Sequence, residues 1–441
     1  MKNIARYGIG LAVIVLVALA TWQGMIYFEG KKPAIILQDD VRYVGSKTTL
    51  SVTFSDEGRG LKQVVAFVEQ NDERQFLGGM NFPTPGERRR TLNLDFDQAQ
   101  SVLKEGPARL VFSALDHSLR KNETTLVIDV EIDRTPPRIS TLTSAHYINP
   151  GGSCLVVYQL SEPVDKTGVL VNDVFYPGYP YNVEENQPRY AVLFGIPLNA
   201  SKDDRRLGIT ARDKAGNETY NTFPHHIRSS RFRERTLVLD DNFLENVVPE
   251  FQSAIPRLRD QKPIDAFIYI NDVIRNENDN KIKEICSKSE PRKLWDGRFL
   301  RMSGSPMAGF GDFRTYIYNG EPVATSLHEG VDIASTVNAV VKAANNGKVV
   351  YTGYLGIYGN MVIIDHGLGL FSQYAHLSSI DVAEGASVMK GEPIGRTGAT
   401  GLAGGDHLHF GIYLARQFVN PVEWWDQGWI EDNILSKASL P

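Results

Sequence analysis

The sequence predicts a mainly β chain: two β-sandwiches, a helical connector and a C-terminal antiparallel β domain, preceded by one apolar helix. Three observations predict it. Short β-branched or alternating runs, separated by turn residues, fill residues 34–228 and return from about 299 onward. A strand–turn–strand signature occurs twice in the first of these regions. An uncharged stretch from Tyr7 to Phe28 opens the chain. The 441 residues exceed one ordinary core and call for about three domains at roughly 100–200 residues each.

The helix comes first. Ile9 to Ala20 is almost purely apolar, and the uncharged run 7–28 is long enough to cross a bilayer. Lys2 and Arg6 precede it, and Trp22 and Tyr27 sit near its far end, as interfacial anchors do. We read an uncleaved transmembrane anchor; the alternative is a signal peptide cut after Ala18-Leu19-Ala20. A core helix fits poorly because the run has no polar face. Either of the first two readings puts the bulk of the chain outside the cytoplasm, in the cell envelope. The anchored reading holds it to the inner (cytoplasmic) membrane.

Residues 34–134 carry the runs Thr48–Phe54, Gln63–Glu69, Arg90–Phe96, Ala108–Ala114 and Thr124–Ile132. The stiff link Asp133-Arg134-Thr135-Pro136-Pro137 follows. A second strand-rich stretch, 135–228, includes Ser153–Leu160, Tyr190–Phe194 and Leu207–Ala211. The first stretch has Ala114-Leu115-Asp116 and then Asn122-Glu123-Thr124. The second has Ala211-Arg212-Asp213 and then Asn217-Glu218-Thr219. Units repeating with this rhythm suggest two immunoglobulin-like sandwiches, read as spacers, with partner or glycan binding as the alternative. Residues 229–298 change character. Asp241–Phe251 and Ile264–Ile285 have helix-compatible apolar spacing, which gives the helical connector.

Composition narrows the function. A net charge of −5 leaves no bulk basic footprint for nucleic acid. Two cysteines, Cys154 and Cys286, cannot make a disulfide scaffold or a Cys-rich zinc module, and we read both as buried thiols. The chain has 9 histidines, and those at 328, 366, 376, 407 and 409 crowd into its last part.

Three elements in 299–441 carry chemistry: His328-Glu329-Gly330-Val331-Asp332, Tyr374-Ala375-His376-Leu377 and Asp406-His407-Leu408-His409-Phe410. Imidazole and carboxylate are good zinc ligands, and catalytic zinc takes three protein ligands plus water. On a strand, Leu408 between two histidines puts both imidazoles on one face and turns Leu408 and Phe410 to the other. A glycine between His328 and Asp332 favours a strand-to-loop bend over a helix, so this is not a helical H-E-x-x-H motif. Each motif alone is commonly structural; together, in order, they point to one site. His366, after the strand Met361–Ile364, reads as a turn residue, and Tyr374 as an aromatic core residue. The glycines of 391–405 read as tight turns, because no Lys-Ser/Thr ending marks a phosphate loop. Trp424, Trp425 and Trp429 read as closing the domain's core.

His328 to Phe410 resembles the catalytic domain of lysostaphin-type (LytM) zinc metallopeptidases. The likeness rests on Ser326–Ala334, Ala343–Val350, Gly359–Gly367, Tyr374–Leu377, Gly395–Gly398 and His407–Phe410, and extends to Asn420-Pro421. It implies that His328, Asp332 and His409 bind zinc, that His407 is catalytic, and that His376 is its partner. It also implies hydrolysis of peptide bonds in peptidoglycan on an antiparallel β scaffold with a groove. Nothing in the sequence divides the roles of His376 and His407: either could take a proton from water or hold an oxyanion.

Two other functions compete with an active endopeptidase. One is an inactive relative that binds and activates a separate wall hydrolase; the complete set of ligands and catalytic histidines speaks against it. The other is a carrier domain, suggested by the hairpin-like Gly385–Gly395 with Met389-Lys390; a carrier would not need the histidines. We also expect the connector or the first sandwich to cover the groove until displaced.

Overall fold

The computed structural model describes residues 2–96, 103–144, 146–181, 187–199 and 206–437, with the side chains of residues 2–8 and 26 outside the description. The chain forms two units, Met1–Pro137 with Arg212–Glu218, and Arg138–Ala211 with Thr219–Pro441.

In the first unit a helix spans Lys2–Tyr27. Among the described residues no helix is long and apolar enough to cross a membrane. The span expected at 7–28 therefore lacks structural support, and its side chains at Tyr7, Gly8 and Ile26 lie outside the described residues. The described part of the helix is apolar and open: Ile9, Leu11, Ile14 and Leu16 are all exposed.

Two sheets follow. One orders Ala34–Leu37, Thr49–Ser55 and Arg89–Asp95; the other orders Tyr43–Val44, Glu123–Ile132, Gly106–Asp116, Leu61–Gln70 and Glu73–Asn81. Period-2 alternation decides which faces meet. Leu50, Val52, Phe54, Leu92 and Leu94 from the first sheet share one core with Val64, Ala66, Val68, Leu110 and Phe112 from the second. Two sheets over one core make a sandwich.

The repeated signature has the same geometry in both copies. Asp116 accepts hydrogen bonds from the backbone N–H of Asn122 at 3.0 Å and from its side-chain amide at 2.8 Å. Asp213 accepts the matching pair from Asn217, both at 2.9 Å. The same side-chain amide then reaches the chain entering each repeat: Asn122 donates to the Glu29 carbonyl at 3.0 Å, and Asn217 to the Asp133 carbonyl at 2.9 Å. The Asp-to-Asn rhythm in the sequence is thus a turn clasp that ties down the incoming strand.

The second unit starts with the sheet Tyr179–Pro180, Arg189–Gly195, Ser153–Leu160 and Ile139–Thr141. Its Leu155, Val157 and Phe194 join one core with Trp295, Val362, Leu408 and Trp424 of the C-terminal region. Glu423 adds a polar tie: its carboxylate accepts from the Asn149 amide at 2.9 Å and the Ser153 N–H at 2.7 Å. Helices span Asp241–Ala254, Pro263–Tyr269 and Arg275–Ile285. The first starts where the Asp240 carboxylate accepts the Phe243 N–H at 2.7 Å. Just before them, Glu234–Val238 pairs in parallel with Phe313–Tyr318.

The C-terminal sheet has ten strands. Its path is Ser305–Ala308, Val331–Ala334, Leu408–Leu414, Leu370–Ile380, Asn360–Gly367, Gly347–Tyr354 and Ser387–Val388. The pairings along it are antiparallel. Cys154 and Cys286 are free and buried. Trp424 closes the core against Trp295 and Phe299 and donates its indole N–H to Ser153 Oγ at 3.0 Å. Lys390 is tied down by donation to the Asp296 carbonyl at 2.9 Å, unlike a carrier lysine held out on a hairpin tip.

Candidate metal centre

Three neighbouring strands build the site. In Val331–Ala334 and Leu408–Leu414, Asp332 lies directly opposite His409; on its other side, His409 lies opposite Ala375 of Leu370–Ile380. Cross-strand neighbours on one face meet, so the register alone brings Asp332 to His409. His328 comes from the end of Glu321–Leu327. The bend between it and Asp332 needs Gly330: a Cβ there would lie 2.5 Å from His409 Nε2.

The donor atoms converge. His328 Nε2 lies 3.0 Å from Asp332 Oδ1 and 3.1 Å from His409 Nδ1, and His409 Nδ1 lies 2.9 Å from Asp332 Oδ1. Zinc–ligand bonds of about 2.0–2.1 Å in a tetrahedron put donor atoms about 3.3 Å apart. Two imidazole nitrogens and one carboxylate oxygen therefore fit a zinc ion in both chemistry and spacing. All three residues are buried. Burial alone would raise the Asp332 carboxyl, but its close contacts with the His328 and His409 rings outweigh it and hold the group well below the carboxylate range. Burial pushes His409 down to about 4 against the pull of Asp332, so its ring is neutral and able to ligate at pH 7. His328 Nδ1 donates to the Gly309 carbonyl at 2.7 Å, which turns the Nε2 lone pair toward the point shared with Asp332 Oδ1 and His409 Nδ1.

His376 and His407 stand beside this group with ring centroids 4.8 Å apart. His407 Nε2 is 3.7 Å from Asp332 Oδ1. Each ring is fixed by a backbone carbonyl on its Nδ1, Thr400 for His376 and Gly405 for His407, both at 2.8 Å. Each Nε2 is left as the free lone pair. His376 sits on a β-bulge: Asn360 opposes Leu377 and Val362 opposes Tyr374, so Ala375 and His376 together face Met361 alone. Its φ is +60°, a left-handed value uncommon for a residue with a side chain. The extra residue breaks the alternation. Tyr374 turns into the core, where its hydroxyl accepts the Ala344 N–H at 2.6 Å, while His376 reaches the site. Burial first, then His407 and His409, push His376 down to about 3.

Residues 326–421 match peptidase family M23. The chain carries a LytM-type M23 peptidase domain. DD-carboxypeptidase/endopeptidase Mpg of Neisseria meningitidis serogroup B (strain MC58) is 44% identical over 133 residues, covering 29% of this chain and 31% of that one. Murein hydrolase activator EnvC of Escherichia coli K12 is 35% identical over 106 residues, covering 24% and 25%. A solved structure described as a putative peptidase M23 from Pseudomonas aeruginosa shares 22% identity with a TM-score of 0.37, covering 63% of this chain and 94% of that one. The chain thus matches about a third of the length of the curated Mpg relatives.

Residues outside the motifs also hold the His328–Asp332–His409 group in place. Arg314 Nη2 lies 3.3 Å from Asp332 Oδ2, the oxygen not shared with the histidines. Arg235 pairs with buried Asp312 at 3.2 Å; Asp312 also accepts the Gly309 N–H at 3.3 Å, in the turn that holds His328. Neither arginine carried a sequence signal, because each contact joins segments far apart in the chain. The site opens into a cavity of about 460 Å³. Phe243, Phe267 and Arg275 of the connector helices and Arg235 and Leu237 of the strand before them line it opposite the histidines, and Phe243 lies against Gly404. Glu329 does not line this cavity; burial and then Asp279 push its carboxyl up to about 7. His366 stays outside the site: it is fully buried, bonded to the Asn346 carbonyl and Ser372 Oγ, each at 2.7 Å.

Proposed function

We propose that the chain is a zinc-dependent endopeptidase that hydrolyses peptide cross-links of peptidoglycan. The observation that carries this reading is the convergence of His328, Asp332 and His409 on one point, with the free Nε2 atoms of His376 and His407 beside it. His328, Asp332 and His409 would hold the ion. Bound zinc supplies Lewis-acid activation of water and of a peptide carbonyl near neutral pH.

The chain's own residues do the rest. Arg314 orients the Asp332 carboxylate. The imidazoles of His376 and His407 handle the proton: as water oxygen bonds to the carbonyl carbon, its proton passes to an Nε2. It moves on to the amine nitrogen as the C–N bond breaks. While it carries that proton, the same ring is an N–H donor and can steady the charge gathering on the carbonyl oxygen; the other Nε2 stays an acceptor. The Phe243, Phe267 and Leu237 side chains exclude water from the cavity and narrow the path for a peptide.

The likeness to EnvC favours one second reading, a domain that binds and activates another wall hydrolase. Digestion of purified peptidoglycan by zinc-loaded protein separates the two, because an activator alone releases no new peptides.

We propose further that the chain works in the cell envelope, held to the cytoplasmic membrane by its N-terminal helix. The uncharged apolar run 7–28 and the exposure of Ile9, Leu11, Ile14 and Leu16 support this. Fractionation of cells carrying the full chain tests it: recovery in a salt-washed membrane pellet is expected, and recovery in the soluble fraction contradicts it. The repeats at 34–134 and 135–228 serve as immunoglobulin-like spacers, supported by their shared Asp–Asn clasp.

A further inference from the structure

We propose that Glu29, Asp56 and Asp116, in the first β unit, form a second cation site, suited to Ca²⁺. Each of the three offers a carboxylate oxygen within 4.8 Å of the others. Asp116 is fully buried, Asp56 is 3% exposed and Glu29 is partly exposed. Such a concentration of negative charge is costly away from water unless a cation balances it. Among the described residues no ion pair reaches any of the three carboxylates. Lys31 pairs with Glu57 at 2.8 Å, though its charge also acts on Glu29, and Arg59 donates to the His117 carbonyl at 3.1 Å and lies over the Tyr27 ring at 4.1 Å.

Protein N–H groups reach four of the six carboxylate oxygens and leave a buried one out. Asp116 Oδ1 accepts the N–H groups of Ser118 and Asn122, and Oδ2 accepts the Asn122 amide. Glu29 Oε1 accepts the Arg59 N–H at 2.7 Å. Asp56 Oδ2 accepts the N–H groups of Gly58 and Gly60, at 3.1 and 2.7 Å. Asp56 Oδ1 is buried with no hydrogen-bond partner at all. Buried carboxylate oxygens in native proteins are paired or coordinate metal, so this orphan points to a ligand. Gly58 makes the approach possible: a Cβ there would fall 1.5 Å from Glu29 Oε2. A set of carboxylate oxygens with no nitrogen or sulfur suits a hard cation that takes six to eight oxygens, which is calcium rather than zinc.

The site lies where the chain leaves the N-terminal helix. Bound calcium would tie Glu29 to the loop 56–60 and to the end of Gly106–Asp116. That stiffens the joint between the helix ending at Tyr27 and the first sandwich, beside the contact of the Leu119 N–H with the Tyr27 carbonyl at 2.9 Å.

The test is calorimetric titration of the chelator-stripped full chain with CaCl₂, on wild type and on the conservative variants Glu29→Gln and Asp56→Asn. Titration runs to about 10 mM, beyond the ~10⁻⁴–10⁻³ M dissociation constants of extracellular calcium modules. We expect wild type to take up calcium and each variant, with unchanged circular dichroism, to lose one equivalent or bind it at least about tenfold more weakly. The melting temperature of wild type should rise with calcium and that of the variants should rise less. No uptake by wild type overturns the proposal, and so does uptake unchanged in both variants. Wild-type uptake and its melting shift are readable even if one variant fails to fold.

Discussion

Asp332 and His409 face each other across adjacent antiparallel strands, with Oδ1 of one 2.9 Å from Nδ1 of the other. That single register brings together a carboxylate and an imidazole separated by 76 intervening residues of sequence. It also carries the first prediction. His409→Ala should remove stoichiometric zinc and all hydrolysis while the β fold persists, since the strand keeps its pairs on both sides. Metal analysis with circular dichroism checks this. Full activity in metal-free His409→Ala protein would sink the assignment of the ligands.

His376 and His407 should behave differently from the ligands. His407→Ala and His376→Ala are each expected to keep zinc and lose about 10²–10⁴-fold in turnover, the range of a lost general acid or base. Zinc content and kcat on a soluble cross-linked peptide separate the two effects. A His407→Ala protein that loses zinc would show that our division of roles is wrong.

Arg314 acts through Asp332. Arg314→Ala should weaken metal affinity or activity about 10–100-fold, as loss of a partner that orients a ligand does. Arg314→Lys should recover part of that loss, because charge is kept but the planar fork is not. Competitive chelation measures it. Equal zinc affinity and equal activity in Arg314→Ala would remove the arginine from the site.

Much of this was legible in the sequence, and the misses have physical causes. The runs at 48–54, 63–69, 90–96, 108–114 and 124–132 became strands at Thr49–Ser55, Leu61–Gln70, Arg89–Asp95, Gly106–Asp116 and Glu123–Ile132, because alternation and turn residues are local signals. Asp332, His376 and His409 met because they lie on neighbouring strands, with His328 and His407 just beyond strand ends. The parallel pairing of Glu234–Val238 with Phe313–Tyr318 was not legible: it joins distant segments and leaves no local pattern. The bulge at Ala375–His376 was hidden too. Period-2 reasoning puts Tyr374 and His376 on one face, and only the extra residue sends them to different places.

Glu423 gives a pH-dependent prediction. Burial, against hydrogen bonds from Asn149 and Ser153, pushes its carboxyl up to about 7. The folded chain therefore holds this proton more tightly than the unfolded one, whose ordinary value is 4.5. That contribution to stability is complete below pH 4.5 and is lost as pH rises through about 7. Glu423→Gln cannot titrate, so the melting temperature of the variant relative to wild type should rise between pH 5 and pH 8. A difference that is flat or falls over that window contradicts the buried proton.

The connector side chains give a fifth expectation. Phe243→Ala should open the cavity and raise turnover on intact peptidoglycan more than on a small soluble peptide, which needs less room. Equal changes on both substrates would mean that Phe243 packs beside the site without limiting access.

The central claim is hydrolysis of a peptide cross-link at the His328–Asp332–His409 centre. Mass spectrometry of the muropeptides released from purified peptidoglycan by the zinc-loaded full chain tests it most directly. The expected result is conversion of cross-linked dimers to monomers, with one water added per bond cut, abolished by His409→Ala and by chelation. Dimers left intact by zinc-replete, folded protein would contradict it.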